Sequence, residues 1–236
     1  MKSVLALFVF TCFICTSATA ALDVAALEAA MANPDRPADD KARDASRKAP
    51  VVLSFLGLEA GMTVLDINAS AGWYTEVLSY AVGPEGKVYM QNRPGGRSAD
   101  AIAARAARLS NVERWETPIA ELPANSIDFA FTSLNFHDFH NANPEAARTL
   151  MQEVLAALKP GGILGVEDHE GTPGADNATL HRIAQDEAIS AITAAGFVLV
   201  ESSDALDNAA DDHSLGPFDP SLGRNTDRIL LKFSKP

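Results

Sequence analysis

Residues 63–75 read Thr-Val-Leu-Asp-Ile-Asn-Ala-Ser-Ala-Gly-Trp-Tyr-Thr. A short apolar run carrying an acid, Asp66, is followed by a turn of small residues and then by a helix start at Trp73. That order reads as a buried parallel strand feeding a ligand-binding turn, because strands covered on both faces are nearly continuously apolar. From residue 61 the chain keeps alternating strands and helices, the pattern of a parallel sheet with crossover helices.

Strands are expected at 63–67, 87–91, 112–117, 127–134, 163–167, 197–201 and 228–233, and the 127–134 segment is apolar enough to be central. Helices are expected at 73–81, 99–109, 144–158 and 180–195, the third capped by Asn143 with Pro144 at its first position and the last ended by Gly196. A Gly-rich turn at 94–96 follows the second strand, and 159–162 forms a tight turn into the fifth. Residues 204–227 form a long, Asp-rich connection, and loops of that length are usually functional or mobile. Ahead of the sheet, helices are expected at 23–31 and 39–55. On the second, Asp40, Arg43, Asp44 and Arg47 share one face, which reads either as a solvated face of local ion pairs or as a lid.

The first 20 residues read as a secretory signal: Lys2, an apolar run over 4–15, and an Ala18-x-Ala20 cleavage site. The run is short for a membrane span. The organisation is therefore a 1–20 signal peptide, a 21–60 helical leader and a 61–236 α/β domain, in an exported (periplasmic or secreted) protein with no stable membrane association after cleavage. Cys12 and Cys15 leave with the signal, so the mature chain has no thiol or disulfide chemistry. A formal net charge of −12 argues against nucleic acid, which needs a basic footprint, and suits a small-molecule substrate.

The 63–75 segment resembles the first motif of class I S-adenosylmethionine (SAM) methyltransferases. Leu-Lys-Pro-Gly-Gly-Ile-Leu at 158–164 is similar to their turn into strand five, and Ala195-Gly196-Phe197 to their entry into strand six. Further blocks resemble a family of exported predicted methyltransferases: Arg43-Asp44-x-x-Arg47-Lys48, Gly72-Trp73-Tyr74-Thr75-Glu76, Gln91-Asn92, His137-Asp138, Asp168-His169, His181-Arg182-Ile183 and Thr226-Asp227-Arg228. The resemblance implies a Rossmann-like, mostly parallel seven-stranded sheet with helices on both faces and the last strand antiparallel. It also implies SAM as cofactor.

Carried over residue by residue, the three glycine positions of the turn become Asn68, Ser70 and Gly72. Asp66 would hold the amino end of SAM, or cap the next helix, and Trp73 and Asn135 would line the pocket. Gln91 or Asn92 stands where an acid usually accepts from the ribose. Glu116 or a backbone carbonyl would substitute for the missing acid near the adenine.

Strand four ends in Asn135-Phe136-His137-Asp138-Phe139-His140 and strand five in Glu167-Asp168-His169. Neighbouring strands would bring both His-Asp pairs to one edge. There His137 would act as general base, oriented by Asp138 or Asp168, with His169 beside them. His181 and the 204–227 connection would shape the acceptor side. The leading reading is a SAM-dependent methyltransferase for a small acceptor. The alternatives are a metal-dependent enzyme using His137, Asp138, His140, Asp168 and His169, and a non-catalytic binding module on the same fold.

Overall fold

The computed structural model describes residues 20–95 and 99–236. The expected signal segment up to residue 19 and Gly96 of the Gly-rich turn lie outside the described residues. Among the described residues no helix is long and apolar enough to cross a membrane.

Seven strands form one sheet: β1 Thr63–Ile67, β2 Lys87–Gln91, β3 Val112–Trp115, β4 Ile127–Ser133, β5 Leu158–His169, β6 Val198–Ser202 and β7 Arg228–Ser234. Their spatial order is β3-β2-β1-β4-β5-β7-β6. The first five are mutually parallel, and β7 runs antiparallel to both β5 and β6. Side chains on a strand alternate between faces, and the core divides accordingly. Leu65, Ile67, Ile127 and Ala130 pack on one face under α7 (Phe136–Ala142), α8 (Pro144–Ala157) and α9 (Gln185–Ala194). Val64, Phe129 and Phe131 pack on the other, against α1 (Val24–Met31), α4 (Ala49–Leu56) and α5 (Trp73–Val82). Leu27, Met31, Val52, Leu53 and Leu56 are buried in that second core, so the leader is built into the domain's packing.

Three expectations are corrected. The helix expected over 39–55 is three pieces, α2 Ala38–Lys41, α3 Asp44–Arg47 and α4, with Lys48 left-handed at φ 46° between the last two. Pro50, in the first turn of α4, has no N–H to donate back to residue 46, so the hydrogen-bond ladder of α3 cannot run on through it. The helix expected over 180–195 starts only at Gln185, because His181 is left-handed at φ 52°. The segment 135–140, expected only as the end of the 127–134 strand, enters a short helix that was not expected, α7, at Phe136.

The strand order reverses between β1 and β4. In open parallel sheets a crevice forms beyond the carboxyl ends of the strands at such a point. The turn after β1 and the start of α7 after β4 both open onto it.

Candidate active site

The turn after β1 is held by backbone geometry that few residues adopt. Asn68, Ser70 and Gly72 have φ of 50°, 53° and 80°. All three positions that resemble the glycine motif are thus left-handed, and the loop keeps a glycine-type path without two of its glycines. Asn tolerates this region better than most residues. Neighbouring groups fix the loop: Gln91 Oε1 accepts from Asn68 N–H at 2.9 Å, Asn92 Oδ1 from Ser70 N–H at 2.8 Å, and Ala71 O from Arg105 Nε at 2.6 Å. Gln91 or Asn92 was expected to face a ribose. Instead their amide oxygens are turned onto this backbone. Glu116 is also displaced from its expected place: it is half-exposed, pairs with Arg114, and does not line the crevice.

Arg105 on α6 (Ala99–Arg108) is a buried clamp, pairing with Glu76 of α5 and with Asp40 Oδ2 at 2.6 Å. Trp73 Nε1 donates to Asp40 O at 2.9 Å. The face expected on the leader divides its work. Asp40 faces inward to Arg105, Asp44 pairs with Arg36, and Arg43 and Arg47 line the crevice. The Arg47 guanidinium lies 4.6 Å from the Trp73 ring centre and 5.4 Å from that of Tyr74. Burial lowers its pKa, against the opposing pull of Glu167 and Tyr74.

The crevice has a volume of about 320 Å³, with Asp66, residues 68–74, Asn135, His137, Asp138 and His169 on its walls. Asp66 is buried and accepts from Thr75 Oγ1 at 2.5 Å. Burial raises its pKa to about 7, even though the Thr75 bond and the positive charge of Arg47 favour the carboxylate. The consequence for stability follows from linkage. The folded pKa lies above that of the unfolded chain, so this contribution is full below about pH 4 and is lost as pH rises towards 7. Asp66→Asn keeps the Thr75 bond and removes the titration. It is expected to raise the melting temperature at pH 8 by several degrees, equivalent to on the order of 2 kcal/mol. Identical melting curves for the two proteins at pH 8 would contradict the assignment.

Asp168, next to last in β5, is fully buried and accepts three hydrogen bonds: from His137 N–H at 2.7 Å, from His137 Nδ1 at 2.6 Å and from His169 N–H at 2.9 Å. One carboxylate therefore caps α7 and orients the imidazole in its first turn. A carboxylate only accepts, so Nδ1 carries a proton and Nε2 of the neutral ring holds the lone pair. Burial disfavours the His137 cation, yet Asp168 and Asp138 outweigh it and raise the pKa above its ordinary value. His169 has the opposite balance. Burial, followed by the charges of His137 and nearby arginines, drives its pKa down to about 2, so it stays neutral. His169 Nδ1 lies 2.6 Å from Thr226 Oγ1.

Asp138 is exposed, with Oδ1 3.2 Å from His137 Nε2 and 2.9 Å from His181 Nδ1. His181 thus joins the corner. His140 does not: its Nε2 lies 3.1 Å from Glu187 on α9. Asn135 uses its amide on Thr132, Ser133 and Ile67 at the cavity wall. The sequence reading gave no role to a buried network in which Tyr74 Oη donates to Glu167 Oε2 at 2.7 Å and Arg228 Nη1 to Glu167 Oε1 at 2.6 Å. Its only signal was that Tyr74 and Arg228 each fall in a block of the family resemblance.

No protein-family model matches the sequence, and comparison with curated protein sequences finds no match. Solved structures do match. A SAM-dependent methyltransferase from Aquifex aeolicus superposes with a TM-score of 0.62 at 20% identity, covering 91% of this chain and 99% of that one. The [4+2]-cyclase SpnF gives 0.61 at 21%, covering 87% and 85%. A SAM-dependent methyltransferase from Mesorhizobium loti gives 0.55 at 16%, covering 78% and 96%. The chain has the Rossmann-like fold of class I SAM-dependent methyltransferases. At these identities the likeness concerns the fold, and the fold also carries a cyclase.

Proposed function

We propose that the protein is a SAM-dependent methyltransferase acting on a small-molecule acceptor. The observation that carries this reading is the left-handed turn at Asn68, Ser70 and Gly72, set beside Asp66 and facing the His137–Asp168 pair across one crevice. The turn and Asp66 fit the methionine half of SAM: backbone can approach closely there, and a carboxylate stands ready for an ammonium group. The ribose half fits less well, since Gln91 and Asn92 are committed to the loop.

SAM, when bound, supplies a methyl group already activated on a sulfonium. The chain's tasks are to align the acceptor and remove its proton. His137 Nε2 takes that proton, Asp168 holds the ring in the productive tautomer, and the raised pKa keeps the imidazolium stable once formed. Asp66 must be ionised to pair with an ammonium, so SAM affinity is expected to rise between pH 6 and 8. Transfer of an isotope-labelled methyl from SAM into a small-molecule extract of the host, read by mass spectrometry, tests the activity. Label found only in unreacted SAM and its hydrolysis products would count against it.

A second reading has its own observation. Ligating atoms of His137, Asp138 and His181 lie within 4.8 Å of one another, a spacing one divalent cation can bridge. It requires Nε2 of His137 to be a ligand rather than a free base.

Export is part of the proposal and rests on the sequence of residues 1–20. Intact-mass measurement on protein from the host is expected to give a chain beginning at Ala21. A chain that retains Met1 in the cytosolic fraction would refute this.

A further inference from the structure

A second cavity, of about 340 Å³, adjoins the first between the leader and the 204–227 connection. Arg43, Arg47, His169 and Arg224 line both cavities, and Arg228 lines only the second. Four arginines thus line one space in a chain of formal net charge −12, and among the described residues Asp39 is the only acid on that wall. The local sign of charge is the reverse of the protein's as a whole.

The four arginines are not equally free. Arg43 pairs with Asp40. Arg228 serves Glu167 and the Ser46 carbonyl, and its buried Nε has no partner. Arg47 and Arg224 have neither a carboxylate partner nor a hydrogen-bond acceptor among the described residues. They lie instead against aromatic rings, Arg47 over Trp73 and Arg224 at 4.9 Å over Phe218. Arg47 is half-buried and Arg224 exposed, and neither spends its five guanidinium donors on another described residue. An anion between these two groups would satisfy them, and bidentate guanidinium–oxyanion bonds are among the stronger polar contacts.

We propose that the second cavity binds the acid group, a carboxylate or a phosphate, of the methyl acceptor, with Arg47 and Arg224 as its principal cations. The word acceptor rests on the methyltransferase reading above; the anion site rests on its own geometry. Neutral His169 forms the shared wall, and its ring centre lies 5.6 Å from that of His137. A molecule anchored by its acid group at the arginines therefore reaches the base over a short span. This describes a small organic acid carrying a hydroxyl or amine a few bonds from the acid group.

The test uses the full-length mature protein with inorganic phosphate and acetate as probes, each titrated by calorimetry with and without saturating S-adenosylhomocysteine. Saturable binding of at least one probe is expected in both conditions. Arg47→Gln and Arg224→Gln should each weaken it by about tenfold. Arg148→Gln, at an exposed arginine outside both cavities, should leave it unchanged. Tighter binding of phosphate or of acetate would identify the kind of acid group. Arg224 is exposed, so its variant carries the test if Arg47→Gln does not fold. No saturable binding of either probe at about 50 mM would overturn the proposal. So would equal binding by wild type and Arg224→Gln. Competition between probe and S-adenosylhomocysteine would also overturn it, because the arginines would then belong to the cofactor's carboxylate. Failure of S-adenosylhomocysteine to bind, with probe binding still sensitive to Arg224→Gln, would sink the cofactor reading and leave the anion site standing.

Discussion

His137→Ala is expected to lower turnover by about a hundredfold or more while changing SAM affinity by less than about threefold. The ring is the one titratable group in the crevice whose Nδ1 is held by a buried carboxylate while its Nε2 meets only the exposed Asp138, at 3.2 Å. Asp168 would keep two of its three hydrogen bonds in the variant, from the backbone N–H groups of residues 137 and 169, so α7 should stay capped. The wild-type rate should rise with pH through a pKa above the ordinary histidine value, because the raised pKa keeps His137 protonated to higher pH. That limb should vanish in the variant. A chelator should leave the wild type unaffected. Loss of activity on chelation, with stoichiometric metal released by the same substitution, would instead select the cation reading of His137, Asp138 and His181.

Gly72→Ala is expected to destabilise the protein by about 3 kcal/mol and lower its melting temperature by roughly 6–12 °C. Two costs combine. The residue sits at φ 80°, where an L side chain is strained, and a Cβ there would lie 2.5 Å from Met90 Cε and 2.8 Å from Arg105 Cδ. The methionine end can move. Arg105 cannot move freely, because it is tied to Ala71 O, Glu76 and Asp40 at once. By contrast, Asn68→Gly and Ser70→Gly replace residues already in left-handed backbone, and each should change stability by less than about 1 kcal/mol. A Gly72→Ala protein that melts with the wild type would show that the turn is not clamped as described.

The sheet was legible because its cues are local. Apolar runs at 63–67, 127–134 and 228–233 carry β-branched and aromatic residues and end at turn signals, and the strands lie there with ends shifted by a residue or so. What escaped the sequence depends on groups far away along the chain. Residues 136–142 are too short and too polar to announce a helix, and the carboxylate that caps them comes from β5. Gln91 and Asn92 were visible as replacements for an acid, but nothing local shows that their oxygens turn towards residues 68 and 70. The leader helix was over-extended because Pro50, which cannot donate to the turn before it, lies inside the expected span. The His-Asp corner was half legible. Adjacent strand ends bring His137 to Asp168, whereas His181 arrives from a loop whose path is fixed by the fully buried Arg182 and its pair with Asp211.

The central claim is that the crevice between the 68–72 turn and the His137 corner binds SAM. Calorimetric titration of the purified protein with SAM at pH 8 tests it most directly. The site keeps its turn and Asp66 but has no charged ribose acceptor, so the expected dissociation constant is above about 10 µM. Asp66→Ala should weaken it further. No heat and no thermal shift at about 1 mM SAM would contradict the claim and leave a binding module on a methyltransferase fold.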